Sequence, residues 1–220
     1  IRAVVKCATK RDWDTIGFLD GFEGLLEPVR YRQLDYKEMD ALLFVGGTVL
    51  GTSNKGRFAA KTGHGETNRI PRDILDQASA NIRQLGLRAL VVVGGDGSLT
   101  TAQQLFEHGV PIVGVPKTID NDLEATTLTL GFDSAVACAT DALDRLRTTA
   151  QSHDRVMVLE VMGRYAGWIA VTAGISGGGA PTVHGWPGAP QARVRAPAGV
   201  HLSAFAVGAG GQPHEWAGPG

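Results

Sequence analysis

The sequence predicts an α/β fold built on a parallel sheet, and three observations carry that prediction. Apolar runs at Leu87–Val93 and Val110–Val115 flank a helical pattern over Leu99, Ala102, Leu105 and Phe106. Strand, helix and strand in that order imply a right-handed crossover between parallel neighbours. Both runs end in loops that carry carboxylates, GGDGS at 94–98 and PKTIDND at 116–122. Ligands of open parallel sheets collect at the carboxyl ends of the strands. A further apolar run, Val156–Val161, leads into the loop MGRYAG and an apolar helix from Trp168.

Taken in order, Ile1, Val4, Val5 and Ala8 recur at helical spacing. Trp13–Leu19 is short, apolar and partly β-branched, as a strand requires. Gly21 and Gly24 loosen the chain after it, and Ala41–Val45 leads into a glycine-punctuated loop, GGTVLGTSN at 46–54. Residues 55–68 are polar and read as a mobile surface loop. Ile70, Ile74, Ala78, Ile82 and Leu85 form an apolar helix stripe that Gly86 ends. After the two acidic loops, Ala135, Val136, Ala139, Ala142, Leu143 and Leu146 mark a helix over 133–151. The run from Trp168 to Ile175 predicts a buried helix. Cys7 and Cys138 fall on helix faces and read as core residues.

From Gly177 onward the composition changes. Gly, Ala, Pro, Arg and His dominate, no period of 2 or 3.6 persists, and little can form a packed core. Residues 177–220 are therefore expected to be irregular, as an out-of-frame or foreign extension would be. The chain does not begin with Met and opens inside a helical pattern, so its true start is expected upstream.

Composition excludes several classes. A formal net charge of −1 gives no global field for nucleic acid or an anionic membrane. No apolar stretch approaches the ~20 residues of a membrane span. Two cysteines without metal spacing suit a reduced, cytoplasmic protein. The six histidines form no ligand constellation.

The loops carry the chemistry. Glycines at a strand end let backbone approach a ligand, so the amides of Gly95, Gly97 and Ser98 suit a phosphate at a helix N-terminus. Asp96 offers the oxygen ligand that Mg²⁺ prefers. In an extended segment residues i and i+2 point the same way, so Asp120 and Asp122 are expected to face one cleft. There one carboxylate accepts a proton and the other orients a donor or helps hold metal. Arg164, flanked by Gly163 and Gly167, suits the charge that spreads over a transferred phosphoryl group. Arg155 suits a second anion.

Together GGTVLGTSN, GGDGS, PKTIDND, TLGFDSA at 129–135, DRLRTTAQSHDR at 144–155 and MGRYAGW at 162–168 resemble the prokaryotic-type phosphofructokinase family. The resemblance runs in order from Ile1 to about Gly178. GGDG alone also occurs in NAD and lipid kinases; TIDND followed by MGR separates them. The resemblance implies a parallel-sheet sandwich of the phosphofructokinase type, partial here. Residues 1–131 would be part of a donor-binding lobe and 132–176 the start of a sugar-phosphate lobe. It implies glycolytic phosphoryl transfer from MgATP to the 1-hydroxyl of fructose 6-phosphate, in the cytoplasm, with no nucleic acid or membrane partner. By position, Asp120 resembles the general base and Asp96 the Mg²⁺ ligand. Thr118, Asp122, Met162, Gly163 and Arg164 resemble the sugar-phosphate contacts, with Arg164 also near the transferring group. Arg155 resembles an arginine that reaches a neighbouring subunit's substrate, which implies a homodimer or homotetramer. Gly97 is the residue of ATP users, where pyrophosphate users carry Asp. Lys117 is the residue of pyrophosphate users, and Asn54 departs from an arginine common among ATP users. ATP is the expected donor, with pyrophosphate as the alternative. The family's first phosphate loop and later sugar contacts lie outside the sequence, so weak or no turnover is expected of this chain. A non-catalytic remnant that binds sugar phosphate or assembles with intact subunits is the remaining reading.

Overall fold

The computed structural model describes residues 1–53, 56–58, 67–124, 126–155, 157–163, 166–177 and 202–206. The chain separates into two compact units, 1–115 and 116–220. This break falls within a strand and does not coincide with the lobe boundary at 131–132 read from the sequence.

In the first unit, α1 (Arg2–Thr9) buries Val5 and Ala8. Val5 packs with Leu34 and Met39, the latter in a 3-10 helix over Glu38–Phe44. Asp40 of that helix bonds both Arg2 and Lys6, at 3.1 and 2.9 Å. A hairpin pairs β1 (Ile16–Phe18) with β2 (Tyr31–Gln33), antiparallel, around a 3-10 helix at Gly21–Leu25. The strand expected over 13–19 is shorter than its apolar run, and β2 has no apolar run to announce it.

The larger core joins Leu25 and Leu26 to Phe58, Ile70, Leu105, Val110 and the stripe of α2 (Arg72–Gln84). Asp73 in the first turn of α2 and Arg83 in its last complement the helix dipole. The next elements are β3 (Leu90–Gly94), α3 (Asp96–Glu107) and β4 (Ile112–Thr118). Both helices stop by one device. Gly86 and Gly109 take φ of +65° and +92°. Leu87 and Val110 then donate back to Ile82 and Leu105 across the last turn. This double-bonded ending satisfies orphan carbonyls and turns the chain directly into the next strand. The helix face expected from Leu99, Ala102, Leu105 and Phe106 is corrected at one position. Ala102 and Leu105 are buried, whereas Phe106 is 56% exposed.

In the second unit, β5 (Leu130–Gly131) runs parallel to the end of β4, pairing Lys117 with Leu130 and Thr118 with Gly131. The sheet order is β3-β4-β5, as the predicted parallel sheet requires. The helix α4 (Phe132–His153) packs Phe132, Ala139 and Leu143 against Ile169 and Ala173 of α5 (Trp168–Ser176). Both cover Met157, Leu159 and Val161 of β6 (Met157–Val161). The prediction that α5 is buried holds for Ile169, Ala170 and Ala173 but not for Trp168 and Ile175, which are exposed. A second correction concerns β7 (Leu202–Ala206), which pairs with β6 in parallel over all five of its residues. That strand lies in the stretch expected to be irregular; backbone pairing does not require a period in the sequence when a ready strand edge is present. Cys7 and Cys138, read as core residues, are both exposed. Among the described residues no helix is long and apolar enough to cross a membrane.

Candidate functional site

The first acidic loop belongs to the first unit. β3 ends at Gly94, Gly95 is extended at φ −88° and ψ −165°, and Asp96 already begins α3. The predicted loop GGDGS is thus half helix: Asp96, Gly97 and Ser98 form the first turn. The first amides of a helix have no partners inside it, and they carry the positive end of the dipole. Gly94 is required for a packing reason. A Cβ there would lie 2.4 Å from the Ser98 Cβ and 2.7 Å from its Oγ. Gly97 is different, because a Cβ there would meet none of the described residues within 4 Å. Among the described residues nothing fills the space beside Gly97.

The turn at 56–58 is tied to the same helix. Thr101 donates to the Phe58 carbonyl at 3.0 Å, and Glu23 accepts from the Arg57 amide and guanidinium. Asn54 and most of the predicted mobile loop at 55–68 lie outside the described residues.

The second acidic loop belongs to the second unit. Thr118, the last residue of β4, donates to Asp120 Oδ2 at 3.3 Å and accepts from the Asp120 amide at 3.2 Å. A threonine expected to touch substrate therefore also holds the neighbouring carboxylate. One carboxylate oxygen of Asp120 and one of Asp122 are withdrawn from solvent. The Asp122 oxygen has no hydrogen-bond partner among the described residues. A buried, unpaired carboxylate oxygen is costly and awaits a donor.

The predicted reason for the two carboxylates sharing a side needs correction. The segment is not extended, because Asn121 sits in the left-handed region at φ +51°. Its Oδ1 accepts from the Thr129 amide at 2.9 Å, and its Nδ2 donates to the Thr127 carbonyl at 3.3 Å. Thr129, 5% exposed, donates its hydroxyl to the Thr118 carbonyl at 2.8 Å. Sequence reasoning passed over Asn121 and Thr129. The signal was available: asparagine is enriched at positive φ and bonds local backbone.

The third loop follows β6. Met162 is 64% exposed, and Gly163 is buried with its carbonyl accepting from the Ala166 amide at 2.8 Å. Arg164 lies outside the described residues. Arg155 is exposed just past α4, and its amide closes the last turn on Ala150 at 2.9 Å. No pair from 118, 120 and 122 on one side and 155, 162 and 163 on the other shares a hydrogen bond among the described residues.

Nor is there, among the described residues, a group of three or more His, Cys, Asp or Glu side chains able to cage a metal ion. The Asp96 carboxylate, at a helix start, has the oxygen chemistry that Mg²⁺ takes. That ion keeps several waters and is held by one or two carboxylates together with substrate phosphates.

Comparison with known proteins covers most of the chain. A family model described as "Phosphofructokinase" matches residues 1–184. A curated relative from Chloroflexus aggregans, named ATP-dependent 6-phosphofructokinase, is 52% identical over 178 residues, covering 81% of this chain and 49% of its own length. One of the same name from Corynebacterium efficiens is 48% identical over 184 residues, covering 83% and 50%. The chain thus spans about half the length of the curated relatives it matches. Among solved structures, that of Pichia pastoris phosphofructokinase in the T-state matches with a TM-score of 0.74 at 27% identity. That match covers 93% of this chain and 24% of the other.

Proposed function

The chain belongs to the phosphofructokinase family, and on that premise we propose that it forms part of an ATP-dependent 6-phosphofructokinase of glycolysis. The observation that carries this reading is the carboxylate pair after β4. Asp120 is held by Thr118, and Asp122 keeps a buried oxygen open to a donor.

In this reading Asp120 takes the proton from the 1-hydroxyl of fructose 6-phosphate. The oxygen then bonds to the γ-phosphorus of ATP as the bond to the β-phosphate oxygen breaks, leaving ADP. The proton passes from Asp120 to solvent. Asp122 and Thr118 orient the sugar, with Met162 and Gly163 beside its phosphate. Arg164 stabilises the charge that spreads over the transferring group. Arg155 serves the sugar phosphate of a neighbouring subunit in a homodimer or homotetramer. Residues 1–131 form a donor lobe and 132–176 the start of the sugar-phosphate lobe.

On the donor side, the amides of Gly95, Gly97 and Ser98 receive the phosphates. Asp96 would hold Mg²⁺, which when bound would supply positive charge against the donor's phosphates. The open space at Gly97 supports a nucleotide over pyrophosphate, since it leaves room where an acidic side chain would crowd and repel the donor. Lys117 favours the pyrophosphate alternative. The names of the curated relatives support ATP.

The test is a donor assay on the complete open reading frame, with fructose 6-phosphate and either MgATP or Mg-pyrophosphate. Turnover with MgATP alone is expected. Turnover with pyrophosphate alone would replace the donor, and turnover with neither would overturn the reading. The present chain alone is expected to give no fructose 1,6-bisphosphate above background.

A further inference from the structure

Between the two carboxylates of the second loop stands a residue whose bonds all run elsewhere. Asn121 has Asp120 before it and Asp122 after it, yet its side chain bonds neither. It reaches across the loop to the Thr129 amide and the Thr127 carbonyl. Thr129 in turn reaches back to the Thr118 carbonyl, the last of β4. These bonds close a ring. The loop leaves β4 at Thr118, returns in parallel at Leu130–Gly131, and is pinned at its waist by Asn121 and Thr129.

We propose that the Asn121–Thr129 clamp is a positioning device for phosphoryl transfer, fixing the directions of Asp120 and Asp122. The proposal rests on the functional reading above. A left-handed residue between two others rotates the second relative to the first, unlike the alternation of a strand. The angle between the Asp120 and Asp122 side chains is therefore set by the Asn121 backbone, at φ +51°. Asparagine reaches that region because its short polar side chain bonds local backbone. Here both ends of the amide are engaged, one as acceptor and one as donor. The partner Thr129 is buried, so water does not readily replace the bond. Gly131, at φ +119°, then turns the chain into α4, and a Cβ there would touch Ile119 Cγ2 and the Thr118 carbonyl at 3.4 Å. The return path is thereby held against the same loop.

A displaced reacting group of about 1 Å lowers rate on the order of a hundredfold. Releasing the clamp should accordingly fall on turnover more than on binding. The variants Asn121→Ala, Asn121→Gly, Thr129→Val and Thr129→Ser are made in the complete open reading frame and assayed with fructose 6-phosphate and MgATP. Asn121→Ala and Asn121→Gly are expected to lose about tenfold or more in kcat, with KM for MgATP within about twofold of wild type. Thr129→Val is expected to lose less, and Thr129→Ser to behave as wild type. In the present chain, Asn121→Gly should speed hydrogen exchange at the Thr129 amide while leaving α4 protected. A clamp of purely structural value would lower the yield of folded enzyme and leave kcat per folded site alone, which would overturn the proposal. Wild-type kcat in Asn121→Gly would overturn it too, since backbone freedom without the side chain would then suffice. If Asn121→Ala fails to fold, the glycine and threonine variants still decide. A wild-type enzyme without turnover refutes the functional reading and the rate role with it; an active wild type with unimpaired variants refutes the clamp alone.

Discussion

The two acidic loops hold their carboxylates by opposite means. Asp96 is placed by backbone: a glycine where a Cβ would meet the Ser98 side chain, an extended Gly95, and the start of a helix. Asp120 and Asp122 are placed by side chains: a threonine hydroxyl on one carboxylate, and an asparagine amide fastened across the loop between them. The difference follows from what each loop is proposed to do. A surface that receives a polyphosphate must present amides and leave room, and side chains would obstruct it. A base that removes one proton must point in one direction, and glycine would leave it free to wander.

Replacing Asp120 by Asn breaks the comparison most severely. The shape and the Thr118 contact survive, while the proton acceptor is lost. In the complete open reading frame kcat should fall by about 10²–10⁴-fold with little change in stability. A loss confined to KM would move Asp120 from chemistry to binding.

Next is Gly94→Ala. The new methyl meets the Ser98 Cβ, which is fixed to the helix and cannot swing away. Overpacking of this kind costs about 1–3 kcal/mol. Urea unfolding of the present chain should show it, and adding Ser98→Gly should recover part of the loss. Failure to recover would mean that the backbone at Gly94, not the side chain at Ser98, sets the requirement.

Gly97→Asp separates the two strategies on the donor side. Among the described residues nothing fills the space beside Gly97, and an acid in the first helical turn is mildly favourable. Thermal stability should be unchanged or slightly higher. KM for MgATP should rise by about tenfold or more, about 1.4 kcal/mol. An unchanged KM would remove Gly97 from the donor site.

The smallest effect lies away from both loops and serves as a control on them. Asp40's carboxyl is held below its ordinary value, first by the hydrogen bond from Lys6 and then by that from Arg2. A lowered folded value contributes stability above the unfolded value near 3.8, and that contribution disappears as pH falls through the lowered one. Asp40→Asn should therefore produce a small drop in the urea midpoint at pH 7 that vanishes in strong acid. Neither Gly94→Ala nor Asp120→Asn should share that pH dependence.

Much of the framework was legible because it rests on period and punctuation. The stripe from Ile70 to Leu85 and the glycine after it told both where α2 runs and how it stops. The runs after Gly86 and Gly109 told where β3 and β4 lie. Legibility failed where partners decide. Phe106 fits the helical period of α3 but finds no core to enter. Cys7 and Cys138 have the chemistry of buried residues and the positions of exposed ones. β2 and β7 exist because an edge was available, and an edge leaves no mark on the strand that joins it. The residue types at the site were legible from GGDGS and TIDND, yet their geometry was not. Alternation along a strand does not describe Asp120 and Asp122, because one asparagine turns the chain between them.

The paired helix endings at Gly86 and Gly109 also work as a ruler. Each fixes the point at which the chain enters a strand, and the strand's length then fixes where its acidic loop begins. A residue inserted ahead of α2 lies outside both intervals and leaves the apolar stripe of that helix in phase. A residue inserted between Gly109 and Thr118 would shift Lys117 and Thr118 out of register with Leu130 and Gly131 of β5. Lengths within these two glycine-to-acid intervals should accordingly be the least tolerant of insertion in the chain, whatever the sequence they carry.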